Sequence, residues 1–248
     1  MADSSSTTAS TPASVCVFCG SSPGQDSVFL EAAADVGASI AAQGWRLVYG
    51  GGQRGCMGQV SSAALEAGGS VLGVMPRVML AKARGHAVED DPGRAAGGAA
   101  AGSNEGTGAR TLQASEQDAH RLETIAVDSM HERKRIMADQ SPLGFIGLPG
   151  GFGTFEEVFE MVTWTQLGIH RKPMVLLNIN GFFSPLKALI DQAISSGFIT
   201  ESNRGLVTFV DADADWGKHV VEAVKRDHER LSSTQGYWDW NSATKTAP

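Results

Sequence analysis

The chain has 248 residues, a formal net charge of −7 and an isoelectric point near 5.3. That length suits one α/β domain with a large core better than two domains, and the acidic balance argues against nucleic acid or an anionic membrane surface as main partner. The longest apolar stretches are far too short to span a bilayer.

Residues 1–14 are rich in Ser, Thr and Ala, with neither an apolar core nor an arginine. They read as a disordered tail, not as a secretory or mitochondrial signal. Val15–Cys19 is a short buried-strand pattern ending in Gly20-Ser21-Ser22-Pro23. Asp26–Gln43 carries Phe29, Ala33, Val36 and Ile40 at helical spacing and is closed by Gly44. Arg46–Tyr49 is the next strand and stops at Gly50-Gly51-Gly52; Met57–Ala67 then reads as helix and Val71–Met75 as strand. The pattern breaks near His86 and resumes near Leu122. Between them, residues 88–117 are dominated by Gly, Ala, Ser and Thr and bury too little apolar surface to offset ordering entropy, so they read as a mobile insertion within the domain. Strand Thr124–Val127, helix His131–Gln140, strand Leu143–Leu148, helix Thr154–Leu167, strand Met174–Leu177, helix Phe183–Ser196, strand Leu206–Val210 and helix Ala214–Arg230 follow. The segment 232–248 holds Tyr237, Trp238 and Trp240 but no usable period. About seven apolar strands alternating with helices predict a single Rossmann-like, doubly wound, mainly parallel sheet over residues 15–231.

There are three cysteines, Cys16, Cys19 and Cys56. Cys16-Val17-Phe18-Cys19 spells C-x-x-C, but residues three apart on a strand point to opposite faces and no second Cys or His pair completes a metal site. The cysteines read as structural and suit a reducing, cytoplasmic protein. The six histidines show no metal-ligand spacing, and neither a P-loop nor a nucleophile elbow is present.

Three glycine clusters, Gly20-Ser21, Gly50-Gly51-Gly52 and Gly150-Gly151, each follow the carboxyl end of a predicted parallel strand, the edge where open α/β sheets bind ligands. Residues 148–157 read Leu-Pro-Gly-Gly-Phe-Gly-Thr-Phe-Glu-Glu. Glycines bring backbone N–H groups close to an anion, and the helix start adds partial positive charge, so phosphate is the natural guest. Gly151, Gly153 and the Thr154 hydroxyl would hold it, with two carboxylates in the first helical turn. Thr154-Phe155-Glu156-Glu157 is also T-x-x-E, a capping box in which Glu157 merely satisfies backbone donors. Arg133 shares its helix face with the apolar Met130, Ile136 and Met137, so its charge either meets a bound anion, pairs with an interior carboxylate or snorkels outward.

Met130-His131-Glu132-Arg133-Lys134 followed by Pro149-Gly150-Gly151-Phe152-Gly153-Thr154-Phe155-Glu156-Glu157 resembles the paired signature of the Lonely Guy family, the cytokinin riboside 5′-monophosphate phosphoribohydrolases once labelled lysine decarboxylases. Val17–Ser22, Val48–Gly52, Gly55–Gly58 and Thr163–His170 extend the likeness. The resemblance implies Arg133 and Glu157 as catalytic residues. It implies Gly151, Phe152, Gly153, Thr154, Phe155 and Glu156 around the nucleotide, with Lys134 and Thr163 as further contacts, no metal or other cofactor, and a homodimer or higher homo-oligomer; the strand-edge argument adds Gly20, Ser21, Gly51, Gly52, Gly150 and Met130 on the same rim. Where the family carries Pro-Arg-Glu-Leu after its third strand, this chain has Met79-Leu80-Ala81-Lys82-Ala83-Arg84, so Arg77 is the candidate substrate contact on that side. The expected reaction is hydrolysis of the N-glycosidic bond of an N6-substituted adenosine 5′-monophosphate to free base and ribose 5-phosphate. A general nucleosidase acting on AMP and a non-catalytic nucleotide carrier are the alternatives.

Overall fold

In the computed structural model, residues 13–83 and 120–233 are described. The expected tails and the expected insertion at 88–117 lie wholly or mostly outside them. Seven strands form one sheet: β1 (Ser14–Phe18), β2 (Arg46–Tyr49), β3 (Val71–Pro76), β4 (Leu122–Val127), β5 (Phe145–Gly147), β6 (Met174–Leu177) and β7 (Val207–Val210). Their order across the sheet is β4-β3-β2-β1-β5-β6-β7, and every pairing is parallel. The helices are α1 (Val28–Ala42), α2 (Gly55–Glu66), α3 (Arg77–Ala83), α4 (Met130–Asp139), α5 (Phe152–Gln166), α6 (Ser184–Ser195) and α7 (Trp216–Ser232). Of these, α3 occupies a stretch whose residue pattern predicts no element.

The two faces of β1 show why the fold is doubly wound. Val15 and Val17 join one buried cluster with residues of α1, α2 and α7. Cys16 and Phe18 join the other, with residues of α4 and α5. Both faces of the strand are therefore dry, and its apolar run does not alternate. Cys16 lies in one cluster and Cys19 in the other, so the two thiols diverge as the strand period requires. All three cysteines are free and buried.

Chain order reverses between β1 and β5, which lie side by side although residues 19–144 separate them. The loops leaving these two strands diverge and open a crevice at the carboxyl edge. Glycine lets the loops start close together. Gly20 N–H donates to the Pro149 carbonyl at 3.1 Å. A Cβ on Gly150 would stand 2.2 Å from Thr154 Oγ1 and 2.8 Å from the Gly20 nitrogen.

Candidate active site

The crevice is a cavity of about 340 Å³ lined by Gly20–Gly24, Phe29, Cys56, Pro149, Gly150, Gly151 and Phe182. Three helix starts meet there: Phe29 is in the first turn of α1, Cys56 in that of α2, and Gly151 is the N-cap of α5. The partial positive charge of helix starts favours an anion, although the N–H groups opening α1 are already taken, Val28 by Asp26 Oδ1 and Leu30 by the Ser27 carbonyl. Gly55 holds the second start in place at φ +59°, where a Cβ would lie 2.5 Å from the carbonyl carbons of Ser21 and Ser22. A Cβ on Gly151 or Gly153 would meet no atom within 4 Å, so that side of the cradle is open to a ligand.

Helix α5 begins at Phe152, two residues earlier than the sequence suggests, and no acidic residue falls in its first turn. Thr154 is therefore inside the helix, and the capping-box reading of Glu157 is corrected: the cap is Gly151, without a side-chain bond. The S-x-x-E cap lies instead at α4, where Ser129 Oγ accepts from Glu132 N–H at 3.1 Å and Glu132 Oε2 accepts from Asp128 N–H at 3.0 Å. With the start moved back, Glu157 sits one turn deep on the buried side of α5.

Glu157 meets Arg133 there. Arg133 Nη1 donates to Glu157 Oε1 at 2.8 Å, Nε to the Val74 carbonyl at 2.9 Å and Nη2 to the Gly50 carbonyl at 3.3 Å. The residues are only 9% and 8% exposed. One guanidinium thus joins α4, α5, β3 and the loop after β2, and its carboxylate partner is Glu157. Gly50 must lack a side chain for this to happen, since a Cβ would fall 2.2 Å from Nη2. Burial pushes the Glu157 carboxyl above the usual carboxylate range; Arg133 pulls it back only part of the way.

The other expected site residues divide. Gly20, Ser21, Gly150 and Gly151 line the cavity, while Arg133 and Glu157 lie behind the cradle and not in its lining. Thr154 is buried, with its hydroxyl beside Gly150. Gly51 and Gly52 pack near Met75 and Met57. Phe152 is 92% exposed; Phe155 meets it edge-on and stacks on Phe182. Met130 is exposed, contrary to its place on the expected buried face. Arg77 Nε donates to Asp128 Oδ1 at 2.8 Å on the surface. Lys134 is ion-paired with Glu156 and Glu160. Thr163 is not brought to the cradle. Its hydroxyl donates to the Phe159 carbonyl at 2.7 Å, and it lines a separate cleft of about 140 Å³ with Leu186 and Ile190 of α6. Sequence reasoning missed Phe29, Cys56 and Phe182 in the cavity wall. The strand-edge argument that singled out the glycines also covers Phe182, which follows the carboxyl end of β6.

The fold is that of a Rossmann-like α/β protein with a glycine-lined cavity at the carboxyl edge of its sheet. A family model described as possible lysine decarboxylase matches residues 57–220, and one described as SLOG cluster4 family matches residues 13–89. A cytokinin riboside 5′-monophosphate phosphoribohydrolase of Arabidopsis thaliana is 42% identical over 190 residues, 77% of this chain and 69% of that protein. A probable cytokinin riboside 5′-monophosphate phosphoribohydrolase of Oryza sativa subsp. japonica is 37% identical over 218 residues, 88% of this chain and 87% of its own length. The chain belongs to the Lonely Guy family. The solved molybdenum cofactor carrier protein of Chlamydomonas reinhardtii superposes with a TM-score of 0.52 at 21% identity, covering 87% of this chain and 97% of that one, a likeness of fold.

Proposed function

We propose that the protein hydrolyses the N-glycosidic bond of cytokinin riboside 5′-monophosphates, releasing the free base and ribose 5-phosphate. The observation that carries this reading is the Arg133–Glu157 pair, buried directly behind a glycine cradle at a helix start. The cradle suits the 5′-phosphate, whose binding energy would position the sugar. Cleavage builds positive charge on the ribose, and Glu157 would stabilise that oxocarbenium-like state and take a proton from the attacking water. The hydroxyl goes to the ribose carbon and the bond's electron pair leaves with the base, which takes up a proton. The raised proton affinity of Glu157 supports the role of base, because a carboxylate of ordinary affinity holds a proton weakly.

The test incubates purified protein with isopentenyladenosine 5′-monophosphate, AMP and isopentenyladenosine in parallel, following free base and ribose 5-phosphate by chromatography. Base from the modified monophosphate and not from the riboside is the expected result. Faster release from AMP would make the protein a general nucleosidase, and tight binding without release would make it a carrier.

We also propose a homo-oligomer in the cytoplasm. Exposed Ile169, Leu189 and Phe198 support the first, and three free cysteines support a reducing compartment. Among the described residues no helix is long and apolar enough to cross a membrane. Light scattering on the purified chain tests the assembly; a monomeric mass would refute it.

A further inference from the structure

Arg133 and Glu157 stand near the amino ends of α4 and α5, and the far ends of the two helices are joined by a contact outside the site. The last carbonyls of a helix have no partner within it and carry partial negative charge. Helix α4 has no basic residue in its own last turn and ends on an acid, Asp139, the wrong sign for that place. Its carboxyl end is closed from outside. Ser141 Oγ donates to the Met137 carbonyl at 2.8 Å, Ser14 Oγ to the Gln140 carbonyl at 2.6 Å, and Lys172 Nζ to the Ala138 carbonyl at 2.5 Å. Of these three groups only Lys172 brings a charge, and it lies 34 residues further along the chain than the carbonyl it meets.

Lys172 is itself held. It stands in the loop between α5 and β6, partly buried, with its ammonium 5.9 Å from the centre of the Phe145 ring. Its N–H donates to His170 Nδ1 at 3.4 Å, and its carbonyl accepts from Thr165 Oγ1, in the last turn of α5, at 3.0 Å. The carbonyl of the next residue, Pro173, accepts from the Phe145 N–H of β5 at 2.9 Å. Burial lowers the proton affinity of the ammonium, and the charge of Asp139 opposes that shift. The side chain therefore runs from a backbone fixed by α5 and the sheet to the end of α4.

We propose that Lys172 is a positioning residue: it closes the carboxyl end of α4, ties that end to α5 and the sheet, and so holds Arg133 where it meets Glu157. Its catalytic consequence rests on the phosphoribohydrolase reading. A displacement of about 1 Å at a reacting group, caused from a distance, can cost about 100-fold in rate. The glycine cradle opens α5 at the opposite end from Thr165, so turnover and nucleotide affinity are separable.

The experiment compares the full chain with Lys172→Met, Lys172→Arg and the double variant Lys172→Met/Asp139→Lys, which returns a cation to the last turn of α4. Turnover of isopentenyladenosine 5′-monophosphate, AMP affinity by calorimetry, and amide hydrogen exchange in α4 and α7 are read on each. Lys172→Met lowers kcat about tenfold with AMP affinity kept within about threefold, and speeds exchange in α4 at least about fivefold while α7 keeps its rate. Lys172→Arg and the double variant bring kcat back to within about threefold of wild type and restore the protection of α4. Unchanged kcat in Lys172→Met overturns the proposal, and so does recovery in neither cation-bearing variant. Faster exchange in α4 and α7 alike, or a tenfold loss of AMP affinity, makes Lys172 a general support of the fold and overturns it too. Should Lys172→Met not fold, the double variant decides: folded and active supports the brace, unfolded refutes it. If the wild type binds AMP but cleaves no nucleotide, the phosphoribohydrolase reading fails, and the exchange of α4 decides the brace by itself.

Discussion

Gly151→Ala separates binding from folding at one atom. Gly151 is the N-cap of α5 with φ −103° and ψ −158°, a conformation open to any residue, and an added Cβ meets nothing within 4 Å. The folded state gains no clash. Alanine is a poorer N-cap than glycine, costing up to about 1 kcal/mol, while restricting the unfolded chain returns about 0.4–1 kcal/mol. The melting temperature therefore moves by no more than about 3 °C for a chain of this size. In the cradle the methyl occupies the space where a phosphate oxygen would approach the N–H groups at the helix start. Each charge-assisted bond is worth about 1.5–3 kcal/mol, so losing one raises KM for the nucleotide and the dissociation constant of AMP by about 10–100-fold. Steady-state kinetics, calorimetry and thermal unfolding on the same preparation read both effects. Gly150→Ala is the contrast: its Cβ would stand 2.2 Å from Thr154 Oγ1, so it lowers stability as well as affinity. Unchanged melting temperature together with KM within twofold of wild type in Gly151→Ala would refute the cradle, because no phosphate could then lie against that residue.

Glu157→Gln keeps the shape of the pair but removes the base; kcat falls at least about 100-fold while AMP affinity stays within about threefold, and a near-wild-type rate would leave Glu157 only as the partner of Arg133. Arg133→Ala strands a buried carboxylate and two strand-edge carbonyls, costing about 3–5 kcal/mol and roughly 6–20 °C in melting temperature, with turnover lost; an unchanged melting temperature would mean that the three bonds hold little. His170 is held neutral by burial, its value lowered from 6.5 to about 4, and its Nε2 is buried without a partner. Between those values the unfolded chain takes up a proton that the folded chain refuses, so stability present above pH 6.5 is lost as pH falls, by about 2 kcal/mol at pH 5. Denaturant unfolding at pH 7.5 and 5 shows this loss in the wild type and not in His170→Gln; equal losses would assign the acid sensitivity elsewhere.

The fold was legible because the central strands are short apolar runs bounded by glycine or a polar turn, and those signals are local. The site was legible for a related reason: Gly20, Gly150 and Gly151 are punctuation at strand ends, and strand ends share one rim in a parallel sheet. Two things were not legible. The start of α5 turns on whether Phe152 and Gly153 take helical angles, and neither residue has a strong preference to announce it; this shifted Thr154 and Glu157 by half a turn and created a false capping box. Of the partners of Arg133, Glu157 was reached only through the resemblance, and the carbonyls of Val74 and Gly50 not at all, since the three come from separate segments. Its apolar helix face signalled only that some partner had to exist. Thr163 stood on the resemblance alone, with no local signal, and the fold places it on a different cleft.

Glu156 and Glu157 would weaken any phosphate held at the start of α5 if they stood in its first turn. The earlier start of the helix removes that conflict. It sets Glu157 behind the cradle, where burial raises its proton affinity and repulsion of the anion is offset by a guanidinium 2.8 Å away. The same guanidinium is fixed by carbonyls at the carboxyl edge of the sheet, one within β3 and one just after β2, so the position of the carboxylate is tied to the sheet. Exposed acids on a loop would need no such support and would have no reason to hold a proton. The cost of burying this pair is thus the means by which an ordinary glutamate gains both a fixed place and a raised proton affinity, the two properties the proposed base needs.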